Sequence, residues 1–269
     1  MIGGPVDLEG GFNRMRRCRH GLMVYNRNDQ YVGRSLDLYG EYAEHEVALF
    51  GSVIRPGDSV VEVGANIGAQ TLPLARMVGP SGSVVAFEPQ EMLFNLLSAN
   101  LALNGVTNVR TRRMAVGSEA GSIRVPTLDP NRSNNFGALA LGGWEYGEMV
   151  PLVTLDSLNL PSCRLLKADV EGMEEAVLRG AAGLIARHRP ILYVENDRRD
   201  RSVALIGFIR SMGYRVWWHM ARLFHPGNFA GNSADVFEGI GAVNLIALPP
   251  GSDIHISDPE ITDNQEWWR

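Results

Sequence analysis

The sequence predicts a doubly wound α/β fold on a mostly parallel sheet, with an N-terminal hairpin and helix extension and a β insertion. Three observations predict it. From Ser59 onward, short apolar runs alternate with amphipathic stretches at the rhythm of strand–helix crossovers. The first run, Ser59 to Val63, enters a Gly64-x-Asn66-x-Gly68 turn and then helix-compatible sequence. Three later runs end in acids, at Glu88, at Asp169 and at Glu195-Asn196. Strand carboxyl ends are where open α/β sheets bind ligands.

Composition narrows the class. The chain has 269 residues, 45% apolar and 20% charged, enough for one large domain or a domain with a cap. A net charge of −5 gives no electrostatic reason to expect a nucleic-acid binder. Cys18 and Cys163 are too few for a disulfide framework or a cysteine zinc site. No apolar run reaches the roughly 20 residues of a membrane span. Arg14, Arg16, Arg17 and Arg19 resemble the start of a signal peptide, but the polar Tyr25–Asp29 stretch lies where an apolar core should follow. The expected compartment is the cytoplasm.

Residues 1–40 are expected to form an arm and a small hairpin. The arginine cluster reads as a solvated arm or as a contact for an anionic substrate. Leu22–Tyr25 and Gln30–Val32 flank a polar Asn26–Asp29 turn, predicting a hairpin outside the main sheet, as a lid or edge ribbon. The main domain is expected over 41–250. Val47, Phe50, Val53 and Ile54 give Glu41–Ile54 a helical period, ended by Pro56-Gly57. This helix should cross the mouth of the site and bring Tyr42, Glu44, His45 and Glu46 near a ligand, with His45 equally read as a surface residue.

Thr71–Val78 and Gln90–Leu103 are the next helices, the second stopped by Asn104-Gly105, and Val109–Val116 is a third strand. The rhythm fails over 117–160. Ile123–Val125 and Val150–Leu155 predict an antiparallel insertion, with Asn135 and Gly137 making turns or facing substrate. Alternation resumes with a strand into Asp169, a helix over Glu174–His188, a strand over Ile191–Asp197 and a helix over Val203–Met212. Strands follow at Tyr214–Trp218 and Ala242–Leu248, separated by a polar loop containing His225. The tail, 251–269, lacks periodicity, and its Trp267-Trp268 pair is expected on the body or on a partner. No internal repeat is present.

Glu88 lies 24 positions after Gly64, about where an acid can hold a nucleoside ribose. The turn lacks the G-x-G-x-x-G spacing that brings a pyrophosphate to a helix end. A nucleoside without a phosphate chain is therefore expected, and S-adenosylmethionine is the obvious candidate.

Over roughly Tyr39 to Pro249 the chain resembles the FkbM-type family of S-adenosylmethionine-dependent O-methyltransferases. The marks are Val61-Glu62-Val63-Gly64-Ala65-Asn66-Ile67-Gly68, Phe87-Glu88-Pro89 and Thr154-Leu155-Asp156-Ser157-Leu158. More specific are Leu166-Lys167-Ala168-Asp169-Val170-Glu171-Gly172-Met173-Glu174 and Val177-Leu178-Arg179-Gly180-Ala181. The resemblance implies a seven-stranded, class I methyltransferase-like sheet with the last strand antiparallel. It also implies methyl transfer to a hydroxyl of a natural product, sugar or glycan. Position 62 departs from the pattern, since the family more often has Asp there.

On this reading Glu62, Gly64, Ala65, Asn66 and Gly68 hold the methionine part of the cofactor, Glu88 the ribose, and Met114-Ala115 flank the adenine. Glu46 reaches the cofactor from the mouth. In-line displacement requires a placed oxygen, excluded water and a proton acceptor. Asp169 is the candidate to orient the cofactor or take the proton, with Lys167, Glu195 and His225 as further catalytic candidates. Lys167 and Glu171 are alternatively read as an ion pair capping the next helix, and His219 as a core histidine. No metal is expected; the alternative is Mg²⁺ on Asp169, Glu195 and Asn196, acidifying a bound hydroxyl. An RNA or DNA methyltransferase, a nicotinamide-dependent sugar oxidoreductase and a binder without chemistry are the competing functions. The expected acceptor is a small molecule or glycan, with no nucleic acid and no membrane span.

Overall fold

A computed structural model describes residues 4–265 and 267–268. The N-terminal extension is an antiparallel sheet of β1 (Val6–Asp7), β2 (Asn13–Cys18) and β3 (Gly21–Asn26), followed by helices α1 (Val32–Tyr39) and α2 (Glu44–Val53). The body begins with β4 (Ser59–Val63), α3 (Thr71–Val78), β5 (Ser83–Phe87), α4 (Glu91–Leu103) and β6 (Val109–Arg112). A second small sheet contains β7 (Ala115–Val116), β8 (Gly121–Val125) and β9 (Glu148–Val153). The body then resumes with β10 (Leu165–Ala168), α5 (Glu174–Arg179), α6 (Ala182–His188), β11 (Ile191–Glu195), α7 (Arg199–Ser211), β12 (Arg215–Arg222) and β13 (Gly241–Leu248).

The seven-stranded sheet runs β12-β13-β11-β10-β4-β5-β6. Its strands are parallel from β6 to β11, and β13 is antiparallel to both neighbours. Alternate residues of the central strands feed two cores. Val60, Leu165 and Ile191 pack with the α2, α3 and α4 side, while Val61, Leu166 and Leu192 pack with α5, α6 and α7. A strand covered on both faces must be apolar at consecutive positions, which is why these runs read as continuous rather than alternating.

The structure corrects several local expectations. The arginine-rich stretch is strand β2 rather than a solvated arm, and the hairpin turns at Arg19-His20, not at Asn26–Asp29. Arg14 pairs with Asp7 and Asp37 at 2.6 and 3.1 Å. The buried Arg16 donates to the carbonyls of Leu36 and Asp37, and Arg19 meets Glu41 at 2.7 Å. The Asn26–Asp29 turn leads into a helix, because Asp29 Oδ1 accepts the Tyr31 N–H at 3.0 Å and directs the chain into α1. Nor is this extension hung loosely. Asn100 on α4 and Asn104 at its C-terminal cap pair with both the N–H and C=O of Val24 and Leu22, at 2.7–3.0 Å, as a neighbouring strand would.

The predicted third strand divides. Val109–Arg112 stays in the main sheet and Ala115–Val116 joins the insertion, parallel to β9. The predicted Glu174–His188 helix breaks at Gly180-Ala181, where a Cβ on Gly180 would lie 2.0 Å from the Gly117 carbonyl. The Asp156 carboxylate then accepts the Gly183 and Leu184 N–H groups at 2.8 and 2.7 Å, restarting the helix. The tail runs beside β12, with Ile261 N–H donating to Val216 and Trp218 N–H to Pro259, and so covers the sheet edge. Trp267 and Trp268 pack their rings against Trp218, on the body.

Candidate active site

At the carboxyl ends of β4, β5 and β10 lies a cleft lined in part by Gly64, Ala65, Asn66, Glu88 and Asp169. Two glycines shape it. Gly64 has φ 86°, and a Cβ there would lie 1.8 Å from the Asp169 carbonyl, so no other residue lets the two strand ends converge. Gly68 has φ 85° and faces Leu97 of α4, where a Cβ would meet Cδ1 at 2.8 Å. Gly64 thus borders the cleft, whereas Gly68 serves helix packing and is not among the lining residues.

Glu88 is held from two sides. Its Oε2 accepts the Asn66 N–H and its Oε1 the Gln90 N–H, both at 2.9 Å. Burial pushes the carboxyl up to about 7 despite these two bonds, which favour its ionised form. Each oxygen retains a further lone pair for hydroxyl donors from the cleft. Gln90 in turn donates to the Phe136 carbonyl at 2.8 Å, tying the insertion to this corner.

Beneath the cleft is a buried charge cluster. Lys167 is 1% exposed, yet its Nζ meets Asp169 Oδ2 at 3.1 Å. Burial disfavours the ammonium, but Asp169, Glu62 and Glu46 outweigh it and raise the lysine, so it stays charged. Glu62 is fully buried; its Oε2 accepts the Thr71 hydroxyl at 2.6 Å and its Oε1 has no partner among the described residues. Glu46 Oε2 accepts Gln70 Nε2 at 2.8 Å. Burial carries both glutamates to about 7, against the pull of Lys167.

A second cleft adjoins the first and shares Val32, Tyr42, Asn66, Gly137, Asp169 and Glu171 with it. Glu46, Glu195, Asp197 and Asn135 add to its wall. Oxygens of Asp169, Glu171 and Glu195 lie within 4.8 Å of one another. Burial and then the Asp169 charge push Glu195 well above the carboxylate range and Glu171 to about 7.

The structure separates other predicted partners. Lys167 pairs with Asp169, not Glu171, because consecutive strand residues point to opposite faces and the chain turns sharply after Asp169. Glu171 has φ 56° and pairs with Arg198 at 3.2 Å. Glu174, rather than Glu171, supports the helix start, accepting the Val170 and Gly172 N–H groups at 3.1 and 2.9 Å. Asn196 does not join the acids; its Nδ2 donates to Ser202 Oγ at 2.8 Å in the core. The donor set for Mg²⁺ on Asp169, Glu195 and Asn196 is therefore not assembled.

Met114 and Ala115 line neither cleft, and Met114 packs into the core on the α5–α7 side. His225 lines neither, with Nδ1 3.0 Å from Glu41 and its ring edge-on to His45. His45 contacts the Arg222 carbonyl, and Glu44 meets His20 at 2.6 Å. His219 is buried and bonded to the Tyr193 hydroxyl at 2.8 Å, a core histidine. Sequence reasoning missed Gln70, Gln90 and the cleft-lining Leu139 and Leu141. The two glutamines follow a glycine turn and a strand-end acid, a local signal for both; the leucines had none.

Residues 62–216 match the methyltransferase FkbM domain. The chain is also 43% identical over 235 residues to the 31-O-demethyl-FK506 methyltransferase FkbM of Streptomyces tacrolimicus, covering 74% of this chain and 88% of that protein. This chain belongs to the FkbM methyltransferase family. An FkbM-family protein of this kind is an S-adenosylmethionine-dependent methyltransferase, which replaces the oxidoreductase alternative. Methyltransferase 1 of Beauveria bassiana is 32% identical over 149 residues, 46% of this chain and 59% of that protein, so the match spans under two thirds of its length. The crystal structure of methyltransferase FkbM from Methylobacillus flagellatus KT aligns with a TM-score of 0.49 at 18% identity, over 75% of this chain and 50% of that one. Among the described residues, no helix is long and apolar enough to cross a membrane.

Proposed function

We propose that this FkbM-family enzyme methylates a hydroxyl group of a small molecule or saccharide, with cofactor in the first cleft and acceptor in the second. The observation that carries the proposal is the continuity of the two clefts across Asp169, which belongs to both. The first cleft suits a nucleoside cofactor. Gly64 keeps the floor free of a side chain, and Glu88 presents two anchored oxygens for ribose hydroxyls. Ala65 and Asn66 continue that floor, while Glu62 supports the turn from beneath through Thr71. S-adenosylmethionine supplies the methyl group as an activated electrophile.

The chain's own part is to place the acceptor and take its proton. Asp169 accepts the hydrogen bond of the acceptor hydroxyl and then its proton, and Lys167 fixes the carboxylate from below. Tyr42 and Val32 close the site against water between the two clefts. The likeness to an enzyme named for a 31-O-demethyl substrate supports oxygen as the atom methylated. An acidic second cleft supports a small acceptor over a nucleic acid, whose phosphates it would repel.

Calorimetric titration with S-adenosylhomocysteine and NAD side by side, followed by labelled-methyl transfer to hydroxylated acceptors, tests the reading. Tight binding of the thioether alone and label in an ether product are expected. Label in RNA, or NAD binding in its place, would overturn it.

A further inference from the structure

The second cleft is lopsided in charge. Glu46, Asp169, Glu171, Glu195 and Asp197 line it, and among the described residues no Lys, Arg or His does. The cations near it stand behind the wall and are already engaged: Lys167 on Asp169 at 3.1 Å, and Arg198 on Glu171 at 3.2 Å and Asp197 at 3.9 Å. Glu195 has no such partner among the described residues. Its Oε2 is buried without any hydrogen bond, and its neighbours are like charges.

A buried carboxylate oxygen without a donor is costly unless a ligand supplies one. The sign of the wall says what kind. An anionic acceptor would meet five acidic side chains, and a neutral one would bring no charge to hold Glu195 ionised among them. A divalent metal needs several free oxygen ligands, whereas two of the three clustered acids already hold a fixed cation. One ammonium group, offering up to three donors and a single charge, matches a single unpartnered oxygen.

We propose that the acceptor is a hydroxylated amine, its protonated nitrogen anchored on Glu195 while its hydroxyl lies at Asp169. This rests on the methyltransferase reading above and names the substrate class of that same site. Glu195 is then a specificity-determining residue. An ammonium favours the ionised form of Glu195 over the protonated form that burial and its acidic neighbours impose, so the site selects amino-bearing polyols or amino-bearing aromatic alcohols, and the surrounding acids turn away carboxylated or phosphorylated ones.

The test uses matched probes on two scaffolds with the full chain. Glucosamine, N-acetylglucosamine and glucuronate form one set; dopamine, N-acetyldopamine and dihydroxyphenylacetate form the other. Each is titrated calorimetrically into protein saturated with S-adenosylhomocysteine, and each is assayed for labelled-methyl transfer. The amine of at least one set is expected to bind and turn over at least ~10-fold better than its acetamide, the discrimination of one charge-assisted hydrogen bond. The acid should do neither. Glu195→Gln should bring the amine-to-acetamide ratio within about 3-fold of one, a readout that a purely structural role would not move. Equal or better use of the acetamide or acid, an unchanged ratio in Glu195→Gln, or no binding of either amine by the loaded protein would overturn the inference. So would an amine preference abolished by EDTA and restored by Mg²⁺, which would put a metal at Glu195. Loss of S-adenosylhomocysteine binding itself would instead bring down the cofactor assignment, so the two failures are told apart.

Discussion

Glu88 and Glu195 make an instructive pair. Each acid lies at the carboxyl end of a parallel strand, each borders a cleft, and burial raises both above the ordinary carboxylate range. Their surroundings differ. Glu88 receives two backbone N–H groups, whereas Glu195 keeps a buried oxygen with no donor and faces Asp169, Glu171 and Asp197. A carboxylate anchored by one backbone donor on each oxygen is oriented before its ligand arrives. An unbonded one is complete only when a ligand supplies the missing charge.

The largest effect should come from the cation that balances the shared floor. Lys167→Met leaves Asp169, Glu62 and Glu46 without a buried counter-charge and should destabilise the protein by about 3–5 kcal/mol, read by urea unfolding. A loss below ~1 kcal/mol would show that the cluster is neutral in the fold. The contrast itself is tested by Glu88→Ala and Glu195→Ala in parallel. Removing Glu88 should weaken S-adenosylhomocysteine by roughly 10–100-fold, the scale of hydrogen bonds to a charged group, and removing Glu195 by under about 3-fold. Equal losses would erase the division of labour between the clefts.

Titration sharpens the comparison next. Glu46, Glu62 and Glu88 reach about 7 in the folded protein, above their ordinary 4.5. The folded state therefore holds protons that the unfolded chain releases, and the stabilisation is complete below pH 4.5 and lost as pH rises through 7. Each such acid contributes on the order of 1–3 kcal/mol to that slope. Ligand-free protein should thus unfold at lower urea at pH 7.5 than at pH 5.5, and Glu88→Gln should flatten the difference; a rising curve would contradict the burial argument. The smallest effect belongs to His225→Gln. Its partner Glu41 keeps Arg19 and the Phe229 N–H, so turnover should stay within about twofold and stability within ~1 kcal/mol. A large fall in turnover would bring a histidine base back into the mechanism.

Legibility followed the range of the interaction. The Gly64–Gly68 turn, the start of α3 at Thr71 and the acid-ended strands all depend on residues a few positions apart, and their period and glycines announce them. The N-terminal hairpin escapes a local reading because a hairpin carrying Arg14 on its strand and Arg19 at its turn makes sense only once Asp7, Asp37 and Glu41 lie opposite. Asn100 looks like an ordinary helix residue and Asn104 like a helix stop, and nothing local says that they replace a strand partner for Val24 and Leu22. Gly64 is expected from the sequence to hold the methionine part of the cofactor, and only the fold shows that it also lets the Asp169 carbonyl approach.

Chain-local information is sufficient for the architecture: hydrophobic period sets strand and helix, and acids at strand ends fall at the sheet edge where ligands bind. It also contains the motif that marks the family. The charge balance of the site belongs to the assembled fold. Asp169 drew Lys167, Glu171 drew Arg198, Asn196 turned to Ser202, and Glu195 Oε2 was left without a partner among the described residues. A carboxylate's partner is whichever group the packing brings within about 3 Å, and sequence distance does not encode that separation.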